Sequence, residues 1–432
     1  MMLKRAISLV LVLVMSVFIF TACGSTGQST TTSGSSKSAE ASASSVPSDQ
    51  PVTLSFITWR GDDKAANDKI IENFNEKYPN IKVNFEYDQG GEAHHQLIKT
   101  RLLANEVDLY AVQAGEHWDY LKSGNAYDLT GQPFLDNYLP EALVPNTLDG
   151  KIYGACQALS SPVMFYNVDI FKKYNLNPPK SWEEFISICD TLKKAGIAPI
   201  AQGTANAYIT NNMAIMLMGS LNPDQAPTAL KDLYEGNIKL TDEPIATTHK
   251  LLKQLADDGY YAQGHSGTDK FGAAALFAQG KAAMCVEGTW RSSTLEETAN
   301  LNYDMFSVPA LGGKPDTYIN HPNQTHIINP NSKHIKEALL LYDFMSSKES
   351  MTIYSEMTNQ IPAGKDISVD SKAVNKALAF AKGKTAVLDP FVQSPASEFS
   401  NDLYNYWQAI AIGADFNKAT ADMQTKIDSY RK

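Results

Sequence analysis

The stretch VTLSFITWRGDDKAANDKIIENFNEKYPNIKVNFEY, residues 52–87, carries the pattern that decides the fold. Its opening, VTLSFITW at 52–59, is rich in β-branched and aromatic side chains and reads as a strand. From Lys64 to Tyr78 the apolar residues Ile70, Ile71, Phe74 and Tyr78 fall at helical spacing, and Pro79 stops the run. Ile81, Val83 and Phe85 then alternate, the period of a second strand. Beyond these, 93–104 reads as a helix and 107–112 as a short apolar strand. Such β-α-β-α-β alternation predicts an open parallel sheet, whose ligand crevices lie past the carboxyl ends of its strands. Two loops are singled out on that ground: RGDD at 60–63 and QAGE at 113–116.

Further along, a helix is expected over 181–194, capped by Ser181 with Glu184 three residues on. Others are expected at 247–258, 272–279, 336–346 and 414–430, with a strand at 283–287. Trp407, on a helix with Leu403, Ile410 and Ala411 at three- and four-residue spacing, reads as core. No solenoid-type repeat is present, and the length of 432 residues calls for two lobes.

The beginning of the chain reads differently from the body. Lys4 and Arg5 precede an apolar run, Ala6 to Phe20, of about 15 residues, short of the ~20 that a spanning helix needs. It is a signal-peptide core, and it ends in FTACG at 20–24, where small residues precede Cys23. That arrangement resembles a bacterial lipobox, with Phe20 in place of the usual Leu. It implies a signal peptide at 1–22 and a diacylglyceryl group on Cys23. Residues 24–50 are Ser/Thr/Gly/Ala-rich and cannot bury enough surface to order themselves, so 23–50 reads as a lipidated tether.

Composition narrows the function. The net charge is −10, and no run of Lys or Arg offers a surface for nucleic acid. Once Cys23 is set aside, three cysteines remain without CxxC spacing, which indicates neither a disulfide framework nor a zinc site. None of GxSxG, HExxH or GxxxxGK[ST] occurs, and His94 with His95 cannot place both rings on one helical face. No catalytic residue, metal or cofactor is therefore expected. The acidic pairs Glu183-Glu184, Asp257-Asp258 and Glu296-Glu297 read as solvated helix surface.

Four stretches carry a family resemblance. DGKIYG at 149–154, FYNVDIF at 165–171 and PPKSWEEF at 178–185 form the first. FAQGKAAM at 277–284 with GTW at 288–290 is the second, and Ala338 to Met345 with NQIPA at 359–363 the third. The terminal helices from Trp407 to Tyr430 are the fourth. Over 51–432 the chain resembles extracellular solute-binding protein family 1, the group of maltose- and oligosaccharide-binding proteins. The resemblance implies an α/β, two-lobed, type II periplasmic-binding-protein-like fold. Each lobe would be a mostly parallel sheet flanked by helices, with several crossings at the hinge. The first crossing would fall near Cys156 to Ser160, Cys156 standing where the family has Pro, and a return near Asn320 to His326. That divides the chain into 51–156 with about 324–366, and 157–323 with about 367–432.

A neutral sugar needs a flat face to stack on and planar polar groups that serve its hydroxyls. Trp290 matches the family's Gly-x-Trp aromatic, which stacks on sugar; a core position is the other reading. Trp59 either lines the cleft or plugs the first lobe. Asp62, Asp63, Gln113 and Glu116 sit in the two crevice loops. Asn206 and Tyr208 correspond to a ligand loop of the second lobe, and Asn320, His321 and Asn323 flank a crossing. Phe391 and Phe399 bracket a loop from which at least one aromatic is expected in the cleft. The expected function is therefore an extracellular substrate-binding lipoprotein of an ABC importer. It would be a monomer that captures an oligosaccharide and delivers it to the transmembrane subunits of a permease. Its place would be the outer face of the cytoplasmic membrane, held through Cys23, a Gram-positive surface rather than a periplasm. The alternatives are a binder of peptide, polyamine or another small polar solute, and a surface glycan-acting enzyme.

Overall fold

The computed structural model describes residues 50–431 apart from 89, 114–116, 310, 312 and 313. The signal peptide, Cys23 and nearly all of the tether lie outside the described residues. Fifteen strands are formed among those described: β1 Val52–Thr58, β2 Ile81–Tyr87, β3 Leu109–Gln113, β4 Thr147–Leu148, β5 Lys151–Ile152, β6 Ala155–Cys156, β7 Ala158–Ser160, β8 Pro162–Asn167, β9 Ala198–Ala201, β10 Ala282–Gly288, β11 Tyr303–Phe306, β12 Thr317–Pro322, β13 Gln324–Ile328, β14 Ile361–Pro362 and β15 Thr385–Leu388.

The first lobe grows from β1. Leu54, Phe56 and Ile57 are fully buried, because β1 is central and covered on both faces. It runs parallel to β2 and β3, and β13 returns antiparallel beside β3 with β6 outside it, in the order β2-β1-β3-β13-β6. Phe56 lies opposite Phe85 in register, and their rings stack at 4.7 Å. The helix Lys64–Lys77 buries Ile70, Ile71 and Phe74 against this sheet's core, as its spacing predicts, and Tyr78 closes it before Pro79.

The second lobe has a mixed sheet, β11-β8-β10-β9, in which only the β9–β10 pair is parallel. Its core gathers around Met213 to Met218 of the helix Ala207–Leu221, an all-round apolar segment buried on every face. The capped helix appears as Trp182–Lys194, with the Ser181 hydroxyl accepting from the Glu184 N–H. Trp407 is fully buried in this core on the helix Ser397–Ala411.

A third sheet, β14-β7-β12-β15, joins the two. The chain leaves the first sheet at β6, enters the joining sheet at β7, and returns from β12 to β13. It passes out again at β14 toward the helix Lys372–Ala381, whose Lys376 ammonium donates to the Tyr303 carbonyl. Residues at these three passages border both lobes, and Lys270 of the second lobe lies within electrostatic reach of Asp62 and Arg60 of the first, which marks the candidate crevice between the lobes. No helix among the described residues is long and apolar enough to cross a membrane.

Candidate functional site

The first lobe's edge of the crevice is the turn after β1. Arg60 donates from Nε and Nη2 to the Asp63 carboxylate at 2.7 and 2.8 Å. Asp63 is 2% exposed and also accepts the Tyr354 hydroxyl. Gln324 Nε2 donates to that hydroxyl at 3.3 Å, and the Thr58 hydroxyl donates to Gln324 Oε1 at 3.0 Å. Burial pulls the Arg60 guanidinium's pKa down, but the charge and hydrogen bond of Asp63 together with Tyr354 and Asp62 outweigh it and hold the group above its usual range. Asp63 was expected to meet a ligand; its oxygens are instead occupied, and it anchors Arg60. Asp62 beside it is exposed. Trp59 is half-buried, packed on the first core with its ring edge-to-face to His94 at 5.1 Å. Gln113 is half-buried at the end of β3, opposite Gln324. Glu116 lies outside the described residues.

Along the joining sheet, His321 Nδ1 meets Asp389 Oδ2 at 2.6 Å, and the His321 ring lies 5.7 Å from that of Trp290. Asn320 is 5% exposed on β12, and Asn323 donates from Nδ2 to Gln360 Oε1. Phe391 and Phe399 are corrected. Phe391 packs against Tyr404 and Trp407, and Phe399 against Tyr234 and Tyr430, both inside the second lobe's core. The short 3-10 turn Pro390–Gln393 points Phe391 inward and the helix Ser397–Ala411 points Phe399 inward, where their apolar area is better placed than in the crevice.

The second lobe's edge is built on Glu287, wholly buried at the end of β10. Its Oε2 accepts the Trp290 indole N–H at 2.7 Å and the Gly288 N–H at 3.0 Å, while Oε1 takes Arg291 Nη2 at 3.3 Å. These bonds tie the half-buried Trp290 ring over the backbone of Gly288, where a Cβ would fall 2.3 Å from a ring carbon. A tryptophan pinned by its edge with one side packed on Gly288 has at most the other face for a partner. The expected ligand residue Asn206 uses its side-chain carbonyl on the Lys270 N–H at 2.9 Å, locking two loops together. Gly203 permits that approach, since a Cβ there would lie 2.6 Å from Lys270 N. Tyr208 lies under Lys270, whose ammonium is 5.6 Å from the ring centre, and burial raises the phenol's pKa well above its ordinary value.

Several residues of the crevice escaped the sequence reading. The Gln157 side chain is 2% exposed at the first passage, and neither its Oε1 nor its Nε2 has a partner among the described residues. Asn211 Oδ1, Asn212 Nδ2 and Arg291 Nε are likewise buried and unpartnered, the two asparagines one helical turn beyond Tyr208. Lys270 and the 57%-exposed Phe271 complete the wall. A rule that inspected every residue just past a strand end would have found Gln157 and Arg291. Nothing in the local pattern marks Asn211 or Asn212.

Buried polar atoms without partners are costly, so those of Gln157, Asn211, Asn212 and Arg291 are candidates for pairing with a ligand. The arrangement offers aromatic faces and fixed amide groups. The three cysteines of the body are buried, and burial raises all their thiols, Cys156 to about 12, which keeps them from acting as nucleophiles. Among the described residues no group of three His, Cys, Asp or Glu could hold a metal ion.

Comparison with known proteins agrees with this architecture. The chain is similar to the multiple sugar-binding protein of Streptococcus mutans, 23% identical over 341 residues, which covers 76% of this chain and 79% of that one. In structure it is similar to a chitin oligosaccharide binding protein, with a TM-score of 0.76, 22% identity, and coverage of 89% of this chain and 99% of that one. A solute-binding protein RafE in complex with raffinose gives a TM-score of 0.74 at 18% identity, covering 88% of this chain and 100% of that one. Residues 59–352 match the family described as bacterial extracellular solute-binding protein, and with the two-lobed fold over a joining sheet this chain belongs to that family.

Proposed function

We propose that this protein captures an oligosaccharide in the crevice between its lobes and hands it to the transmembrane subunits of an ABC importer. The observation that carries the reading is the Glu287–Trp290 clamp, 2.7 Å from carboxylate to indole, together with the buried, unpartnered polar atoms of Gln157, Asn211 and Asn212. A pinned indole meets the apolar face of a sugar ring, and planar amides each serve two hydroxyls. The names of the similar proteins point the same way, since they bind multiple sugars, chitin oligosaccharide and raffinose. On this reading Trp290, Gln113, Asp62 and Tyr208 contact the ligand, while Asp63 and Asn206 hold the loops that present them. No bond in the ligand is broken; the protein binds and releases. The signal peptide at 1–22 directs export, and a lipid on Cys23 holds the monomer on the outer face of the cytoplasmic membrane of a Gram-positive cell.

Preformed lobes lose little freedom on closure, so an affinity on the order of micromolar, roughly 8 kcal/mol, is expected. Calorimetry with di- to pentasaccharides tests the reading: heat of binding with a 1:1 stoichiometry supports it, and silence across the panel removes it. Metabolic labelling with a fatty acid, compared between the protein and its Cys23→Ala variant, tests the anchor.

A further inference from the structure

We propose that the oligosaccharide taken by the crevice bears a carboxylate, as a uronate unit does, and that Lys270 with Arg291 reads it. The inference rests on the oligosaccharide reading and narrows it to an acidic sugar.

Lys270 is the second residue of a corner that the fold holds in place. Its backbone N–H is fixed by Asn206 Oδ1 at 2.9 Å, and Asp269 caps the helix Lys270–Ala278 by accepting the Gly272 N–H at 2.7 Å. Its side chain rests between two rings, the ammonium 5.6 Å from the centre of Tyr208 and 5.0 Å from that of Phe271. Arg291 lies over the same Phe271 ring at 5.1 Å and is 8% exposed.

Among the described residues, Lys270 is the cation of this corner that no carboxylate pairs with at short range. Glu287 is matched by Arg291, and its remaining oxygen is filled by Trp290 and Gly288. Lys270 has neither a hydrogen bond to a carboxylate nor an ion pair among the described residues. It feels Glu287, Arg291 and, from the facing lobe, Asp62 and Arg60, only through space. Burial lowers its pKa, the sign of a cation short of solvent and short of a partner. Arg291 Nε is buried and unpartnered beside it. A neutral sugar would leave Lys270 with only the through-space attraction of Glu287 and Asp62, and a cation without a close partner in a closing crevice opposes closure. A carboxylate placed against Lys270 and the Arg291 guanidinium pairs with both, with the sugar ring on the exposed face of Phe271. A free small anion would leave the faces of Phe271 and Trp290 unused.

The test uses the purified protein and matched pairs of oligosaccharides, xylo-, gluco- and galacto-configured, each neutral and with one uronate unit. Calorimetry should give the uronate member of at least one pair about tenfold to a hundredfold tighter binding than its neutral twin. That ratio should fall toward one in Lys270→Met, which keeps the stem between the rings, and return in Lys270→Arg. It should also shrink as salt is raised. Equal or tighter binding of every neutral member overturns the proposal and leaves the oligosaccharide reading intact. So does a ratio unmoved by Lys270→Met or, should that variant fail to fold, unmoved by salt. Silence from all pairs removes the oligosaccharide reading and this one with it.

Discussion

The two edges of the crevice are built on opposite plans. On the first lobe, Thr58, Gln324, Tyr354, Asp63 and Arg60 form one continuous chain of hydrogen bonds, each acceptor filled from within. On the second lobe, Glu287 fixes Trp290 and Arg291, while Arg291 Nε, Asn211 Oδ1 and Asn212 Nδ2 remain without partners. The first edge is a frame whose polar groups stabilise the fold. The second leaves donors and acceptors unpaired; on the proposed reading they are kept for a guest, at some loss of stability. Mutations should therefore separate, stability responding at one edge and affinity at the other.

The sharpest way to break this contrast is Asp63→Ala. It leaves Arg60 and the Tyr354 hydroxyl without their partner, and the loss of folding stability should be about 3 kcal/mol. Urea denaturation measures it; a loss under about 1 kcal/mol would mean that the frame does not depend on this pair.

Trp290→Ala should do the reverse. Removing the pinned face should cost about 2–3 kcal/mol of ligand affinity, read by calorimetry, with a smaller change in the unfolding midpoint. If stability falls as far as affinity does, Trp290 is core and the second edge is not reserved for a ligand.

Acid should act on the fold rather than on the crevice. Burial lowers His117 to about 4 and His249 and His326 to about 3, from 6.5 in each case. Their folded values lie below the unfolded one, so as pH falls the unfolded chain takes up protons first. The stability they contribute is complete above about pH 6.5 and is lost as pH drops from there toward the folded values, about 2 kcal/mol for each histidine by about pH 5. His326 sits edge-on to Phe56 at 5.0 Å in the first lobe. In His326→Gln the difference in denaturation free energy between neutral and about pH 5 should shrink by about that amount. An unchanged difference would place the acid sensitivity elsewhere.

The smallest expected effect is the most diagnostic. Asn211→Leu removes an unpartnered group, so stability should hold or rise, while affinity falls by about 1 kcal/mol. A clear loss of stability would show that Asn211 is paired in the free protein after all.

How much of this was legible in the sequence follows from the range of each signal. The strand at 52–58 and the helix at 64–77 were readable because their apolar spacing is local and strong. The Ser181 cap was readable for the same reason, and Trp290 because it follows a strand inside a motif. The roles of Asp63 and Asn206 were not: their partners Tyr354 and Lys270 stand 291 and 64 residues away along the chain. Phe391 and Phe399 misled because an aromatic in a loop reads alike whether its turn or helix points it inward or outward.

By itself the sequence determined the class of the fold, the order of its first elements and the family to which it belongs, since these rest on periodicities and motifs that neighbouring residues carry together. Only the tertiary structure decided which polar groups are consumed in holding the crevice and which are left for a guest. That division depends on distances between residues far apart in the chain, and a carboxylate looks the same in sequence whether a buried arginine fills it or a ligand awaits it.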